Sequence, residues 1–162
     1  MDEAADIRAK QHWLSQQLAE ESRFLTTLQN LAEAQAPLGL VLTGTDVLRC
    51  KVGAVGADFV HAVDDFANEH LVALAAINRI ETNSARAAAG EPRWPSPVEF
   101  WQAAAIMAED RPEVAIHHLD GSGTRGELRS ATVDEIRLRR LQPTHQTITI
   151  RLASVARISK HH

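Results

Sequence analysis

The sequence contains no tyrosine, a single cysteine, and aromatic residues at only 4% of its 162 positions. Each shortage excludes something. A lone Cys50 rules out an internal disulfide, which suits a reducing cytoplasm. With so few rings, any core has to be assembled from Leu, Ile, Val and Ala. No apolar run approaches the roughly 20 residues of a membrane-spanning helix. The opening "MDEAADIRAK" is too acidic and polar for a secretion signal, so a cytoplasmic protein without a membrane partner is expected. "GSGTRG" (121–126) lacks the Lys-Ser/Thr of a phosphate loop and opens no helix. No serine shows a recognisable base and orienter, and no carboxylate pair is spaced for glycoside chemistry. The expectation is therefore a protein that is not an enzyme, with no cofactor, metal or small-molecule substrate.

What is present is ordinary for a soluble globular chain: 44% hydrophobic and 23% charged residues. Arg outnumbers Lys and Ala is abundant, a bias of high-GC bacterial genomes. The net charge of −4 argues against a dedicated nucleic-acid binder, but it is unevenly spread. Of the 17 basic residues, Arg125, Arg129, Arg137, Arg139, Arg140, Arg151, Arg157 and Lys160 fall after residue 111. Such asymmetry marks either an interaction face or a solvated surface.

Residues 1–36 read as one long helix without Gly or Pro before Pro37. Ile7, Leu14, Glu21 and Leu28 recur every seven residues, with Gln11, Leu18, Leu25 and Ala32 in the adjoining row. This apolar stripe either covers the rest of the protein or meets a partner helix, with Ile7, Leu14, Leu18, Leu25 and Leu28 as the contact face. Residues 37–82 are strand-like. Residues 83–111 read as a linker with breakers at Gly90, Pro92 and Pro95, followed by a helix over 97–111. Ser96 with Glu99 predicts the capping box of that helix, and Pro112 its stop. Trp94, held between prolines, either fills an internal gap or anchors a partner. Residues 112–160 are strand-like again.

The two strand-rich segments repeat one pattern. A shift of 76 lays Val52, Asp58, Val60 and Ala62 on Leu128, Asp134, Ile136 and Leu138. A shift of 78 lays "LAAINRI" (74–80) on "LASVARI" (152–158). Each copy reads as four strands, a short break at Ala-Ala or Ala-Ser, and a last strand. "LTGTDVLRCKVGAVGADFVHAV…HLVALAAINRIE" resembles the Sm-like (Hfq/LSm) type of SH3-like barrel, with Gly126 where that family bends a strand. The resemblance implies an α+β fold: a long N-terminal helix plus two tandem five-stranded barrels joined by a helical connection. It also implies assembly through strand edges. It does not imply RNA reading, because Leu74-Ala75 and Leu152-Ala153 stand where bacterial relatives carry a Lys-His pair.

The remaining polar clusters read as structural. In "HHLDG" (117–121), His117 and His118 alternate across a strand and cannot share one ion, so a hairpin turn is expected. His61, Asp64, Asp65 and His70 flank a loop and are expected to face solvent. Cys50 reads as a buried thiol. The resulting expectation is a bacterial protein-interaction or scaffold module that binds a protein partner or self-associates. The alternative is weak nucleic-acid binding through Arg137, Arg139, Arg140 and Arg151.

Overall fold

The computed structural model describes residues 3–43, 47–83 and 96–161. Helix α1 spans Glu3–Glu33, ending where Gln35 adopts a left-handed conformation (φ 49°) ahead of Pro37. Five strands follow: β1 (Leu38–Leu42), β2 (Val47–Val55), β3 (Phe59–Asp64), β4 (Glu69–Ala73) and β5 (Ile77–Glu81). A single 3-10 turn, Leu74–Ala76, separates β4 from β5. Helix α2 (Phe100–Ala108) leads into β6 (Glu113–His118), β7 (Gly123–Ala131), β8 (Glu135–Arg140), β9 (Gln146–Arg151) and β10 (Val155–Lys160). Here too a 3-10 turn, Leu152–Ser154, precedes the last strand. The break expected at Ala-Ala and Ala-Ser is thus a turn of 3-10 helix in both places.

The expected pair of closed barrels is not what these strands form. They make one open, antiparallel, ten-stranded sheet in the order β5-β1-β2-β3-β4-β10-β6-β7-β8-β9. Closure would require each last strand to pair with both the first and the fourth strand of its own segment. The 3-10 turns do bring β5 to β1 and β10 to β6. The second side of β10 is taken by β4 instead of β9, in register Arg157↔Val72 to Lys160↔Glu69. Pairing two interior edges with each other satisfies their backbone groups as well as closure would.

The two segments nevertheless follow the same internal order and share local detail. Each second strand carries a bulge, between Val52 and Ala54 and between Leu128 and Ser130. Each 3-10 turn is tied down by the same bond, Leu74 N–H to Asp58 O and Leu152 N–H to Asp134 O, both 2.9 Å.

Among the described residues there are two hydrophobic cores, on opposite faces of the sheet. The first gathers Leu38, Leu40, Val52, Val60, Ala62 and Val72 under Leu28 and Leu31 of α1. The second gathers Phe59, Leu71, Ile116, Leu128, Ile136, Leu138 and Ile158 under Phe100 and Ala104 of α2. Alternate residues of β3 and β4 therefore serve different cores. Burial of a Leu such as Leu28 or Leu138 stabilises its core by about 1.5–3 kcal/mol.

Helix α2 starts three residues later than the expected cap. Glu99, not Ser96, is the N-cap, and its partner in the capping box is Gln102, whose Oε1 accepts from Glu99 N–H at 2.9 Å. A carboxylate from the first segment decides this start: Asp58 Oδ1 accepts from Phe100 N–H at 2.7 Å. The approach is close enough that a Cβ on Gly56 would meet the Phe59 ring and Val98 O.

Candidate functional site

The first feature that stands apart is the leading half of α1. From Glu3 to Arg23, every residue whose burial is described is exposed. Along about 30 Å of helix, Ile7 (55% exposed), Leu14 (52%) and Leu18 (66%) face water, and Trp13 (57%) lies beside them. The predicted face is thereby divided. Leu25 is half-buried and Leu28 fully buried against the first core, so intramolecular packing claims the trailing turns. Among the described residues, nothing covers Ile7, Leu14 and Leu18.

Where the stripe meets the body there is a cavity of about 950 Å³. One wall is α1, through Glu20, Glu21, Phe24 and Leu25. The other is formed by the two 3-10 turns, with Leu74 and Ala75 from one and Leu152 and Ala153 from the other. Val133, Asp134 and Arg151 border it on the second segment. The cavity exists because the paired segments present equivalent turns side by side. Nothing in the linear pattern announces it.

A second cluster contradicts the expectation that no serine has a base and an orienter, and that His70 faces solvent. His70 is 4% exposed and Ser159 1% exposed, at directly paired positions of β4 and β10. His70 Nδ1 lies 2.8 Å from Ser159 Oγ, and Nε2 lies 2.9 Å from Asp64 Oδ2. Burial acts to raise the Asp64 pKa. Hydrogen bonds from His70, from the Asn68 and Phe66 backbone and from the Asn68 side chain outweigh it, and hold the carboxyl at about 2. An ionised Asp64 can only accept, so His70 Nε2 carries the proton and Nδ1 accepts from the Ser159 hydroxyl. Burial, assisted by Arg157, pushes the His70 pKa down despite the Asp64 carboxylate, keeping the ring neutral. The order Ser–His–Asp is that of a hydrolytic relay. Its serine, however, is sealed in the sheet, where no substrate reaches it. Chemically, the trio clips the two segments together.

The other polar residues divide in the same way. His61 does sit near the surface, 3.3 Å from Glu69, which also approaches Lys160. The "HHLDG" stretch is the expected hairpin turn, with Gly121 at φ 89° and Asp120 bonded to Ser122. Cys50 is buried, and burial together with Asp64 and Asp65 pushes its thiol up to about 12. Among the described residues, no group of three or more His, Cys, Asp or Glu could hold a metal ion. No helix among them is long and apolar enough to cross a membrane.

The arginines form part of a face. The register places Arg137 opposite Thr149, Arg139 opposite Thr147, and Arg151 opposite Glu135, so these three share one side of the β8–β9 hairpin. Arg140 alternates to the other side. Glu135 accepts from Arg137 (2.9 Å), and Glu127 pairs with Arg129 on the neighbouring strand, which neutralises part of the face. Trp94 lies outside the described residues.

No protein-family model, curated protein or solved structure matches this chain.

Proposed function

We propose that this is a non-enzymatic, cytoplasmic bacterial interaction module in which the sheet is a rigid platform and the leading half of α1 is the recognition element. One observation carries the reading: Ile7, Leu14 and Leu18 lie in one row on a projecting helix, and among the described residues nothing covers them. A helical face of this kind recognises a groove or another helix through anchors at i, i+4 and i+7 spacings. The sealed Ser159–His70–Asp64 trio and the inert Cys50 support a structural role for the remaining reactive side chains. The shared strand order, paired bulges and matching 3-10 turns support the reading that the two segments arose by duplication of one.

The test is site-specific photocrosslinking in cells, with the crosslinker at position 7, 14 or 18 and a control at exposed Lys51. A discrete product at the helix positions and none at the control is expected. Absence of product at all three helix positions overturns the reading.

The arrangement of Arg137, Arg139 and Arg151 on one face favours a second reading, weak binding of a nucleic-acid backbone. Three phosphate contacts predict an affinity loss of about 20–40-fold between 50 and 200 mM salt. Fluorescence anisotropy with a labelled single-stranded oligonucleotide measures it, and a salt-independent or absent signal removes this reading.

A further inference from the structure

We infer that the occupant of the exposed stripe on α1 is a second copy of the same helix, packed antiparallel with its leading turns entering the cavity beside Leu25. This rests on the interaction reading above and identifies the partner. Laid antiparallel about a two-fold axis near Gln16, the stripe is self-complementary. Ile7 of each copy meets Leu25 of the other, Gln11 meets Glu21, and Leu14 meets Leu18.

Charge selects this direction. Both signs are mixed along the flanks of the exposed helix, through Glu3, Asp6, Arg8, Lys10, Glu20 and Arg23, and Glu21 is the charged residue that falls in the apolar row itself. Antiparallel packing sets Glu21 against the uncharged Gln11 of the other copy. Parallel, in-register packing would set Glu21 against Glu21 within the seam and each basic residue against its own copy, which is unfavourable.

The cavity supplies the second observation. In an antiparallel pair the leading turns of one helix must pass alongside Phe24 and Leu25 of the other, where a body packed tightly against α1 would block them. That space is instead open, about 950 Å³, and walled by Phe24, Leu25, Leu74 and Leu152. A helical turn 10–12 Å across fills about 400–600 Å³. Glu20 and Glu21 border the same space.

The experiment combines light scattering after gel filtration with disulfide trapping of the full chain. The wild-type protein is expected to be a dimer at micromolar concentration, and the Leu14→Glu/Leu18→Glu variant to dissociate at least about 100-fold more readily with an unchanged circular dichroism spectrum. In the Gln11→Cys/Glu21→Cys variant, oxidation is expected to link position 11 of one copy to position 21 of the other. Peptide mass spectrometry identifies the link. Links of 11 to 11 and 21 to 21 overturn the antiparallel inference while leaving the stripe as an interface. A monomer that still crosslinks in cells to a different protein through position 14 overturns self-pairing and leaves the interaction reading standing. A monomer with no such crosslink removes both.

Discussion

Replacing Ser159 by alanine tests the most specific energetic claim made by the fold, that the two five-stranded segments are clipped together at one buried point. The substitution removes a single hydroxyl from a strand position that is 1% exposed. Its donated bond to His70 Nδ1, 2.8 Å long, disappears, and the ring nitrogen is left buried without that donor. A typical hydrogen bond contributes about 1 kcal/mol net, and leaving its buried partner unsatisfied costs about 1–3 kcal/mol. A loss of about 2 kcal/mol is therefore expected, or about 4–8 °C in Tm for a chain of this size. Urea unfolding followed by far-ultraviolet circular dichroism at pH 7.5 measures it, with Ser122→Ala in the exposed β6–β7 turn as the control. The double variant Ser159→Ala/His70→Gln should lose less than the sum of its parts, because the two side chains share one bond. A Ser159→Ala protein within about 0.5 kcal/mol of wild type, the range of ordinary surface changes, would refute the clip.

The same cluster makes stability fall with acid. Because the folded His70 pKa lies below its ordinary 6.5, the unfolded chain takes up that proton first, and stability should decline as pH drops through 6.5; His70→Gln should flatten this window. Asp64, held at about 2 against 3.8, adds a second decline between those values, read by acid titration of the circular dichroism signal. Leu28→Ala should cost about 2–5 kcal/mol, whereas Leu18→Ala should leave the unfolding of a dissociated chain within about 0.5 kcal/mol of wild type; equal costs would contradict the division of α1 into packed and free halves. Removing the Asp58 carboxylate with Asp58→Ala should destabilise by about 1 kcal/mol through loss of its bond to Phe100 N–H, measured by urea unfolding. Cys50 should resist a thiol reagent at pH 8 until denaturant is added, and fast reaction in the native state would contradict its burial.

Much of this architecture is legible along the chain, and the failures have physical causes. Hydrophobic alternation reports which face of a strand is buried. It does not report which neighbour the strand's backbone bonds to, so the ten strands could be counted while closure into barrels was expected in error. "HLVALAA" is instructive. His70, Leu71 and Val72 are consecutive and all buried, a run without alternation, because the strand is covered on both sides. The N-cap of α2 is ambiguous along the chain because "SPVEFWQ" holds two overlapping capping patterns, and a carboxylate some forty residues earlier chooses between them. The Ser159–His70–Asp64 trio was invisible because its serine and histidine are 89 residues apart and meet only where β4 and β10 pair. The exposed leading stripe of α1 was readable as apolar, but only the size of the body beneath it determines where cover ends.

Strand β4 is a party wall. With Val72 on one side and Leu71 on the other, it is upholstery for two rooms at once, so neither can be vacated while the other stays furnished. Cut between residues 83 and 96, the chain would yield not two small domains but two fragments with raw surfaces. Phe59 and Leu71 would be bare on the first, with Phe100 and Ile158 bare on the second. The chain is thus expected to melt in one transition, to resist dissection by truncation, and to inherit or lose both segments together.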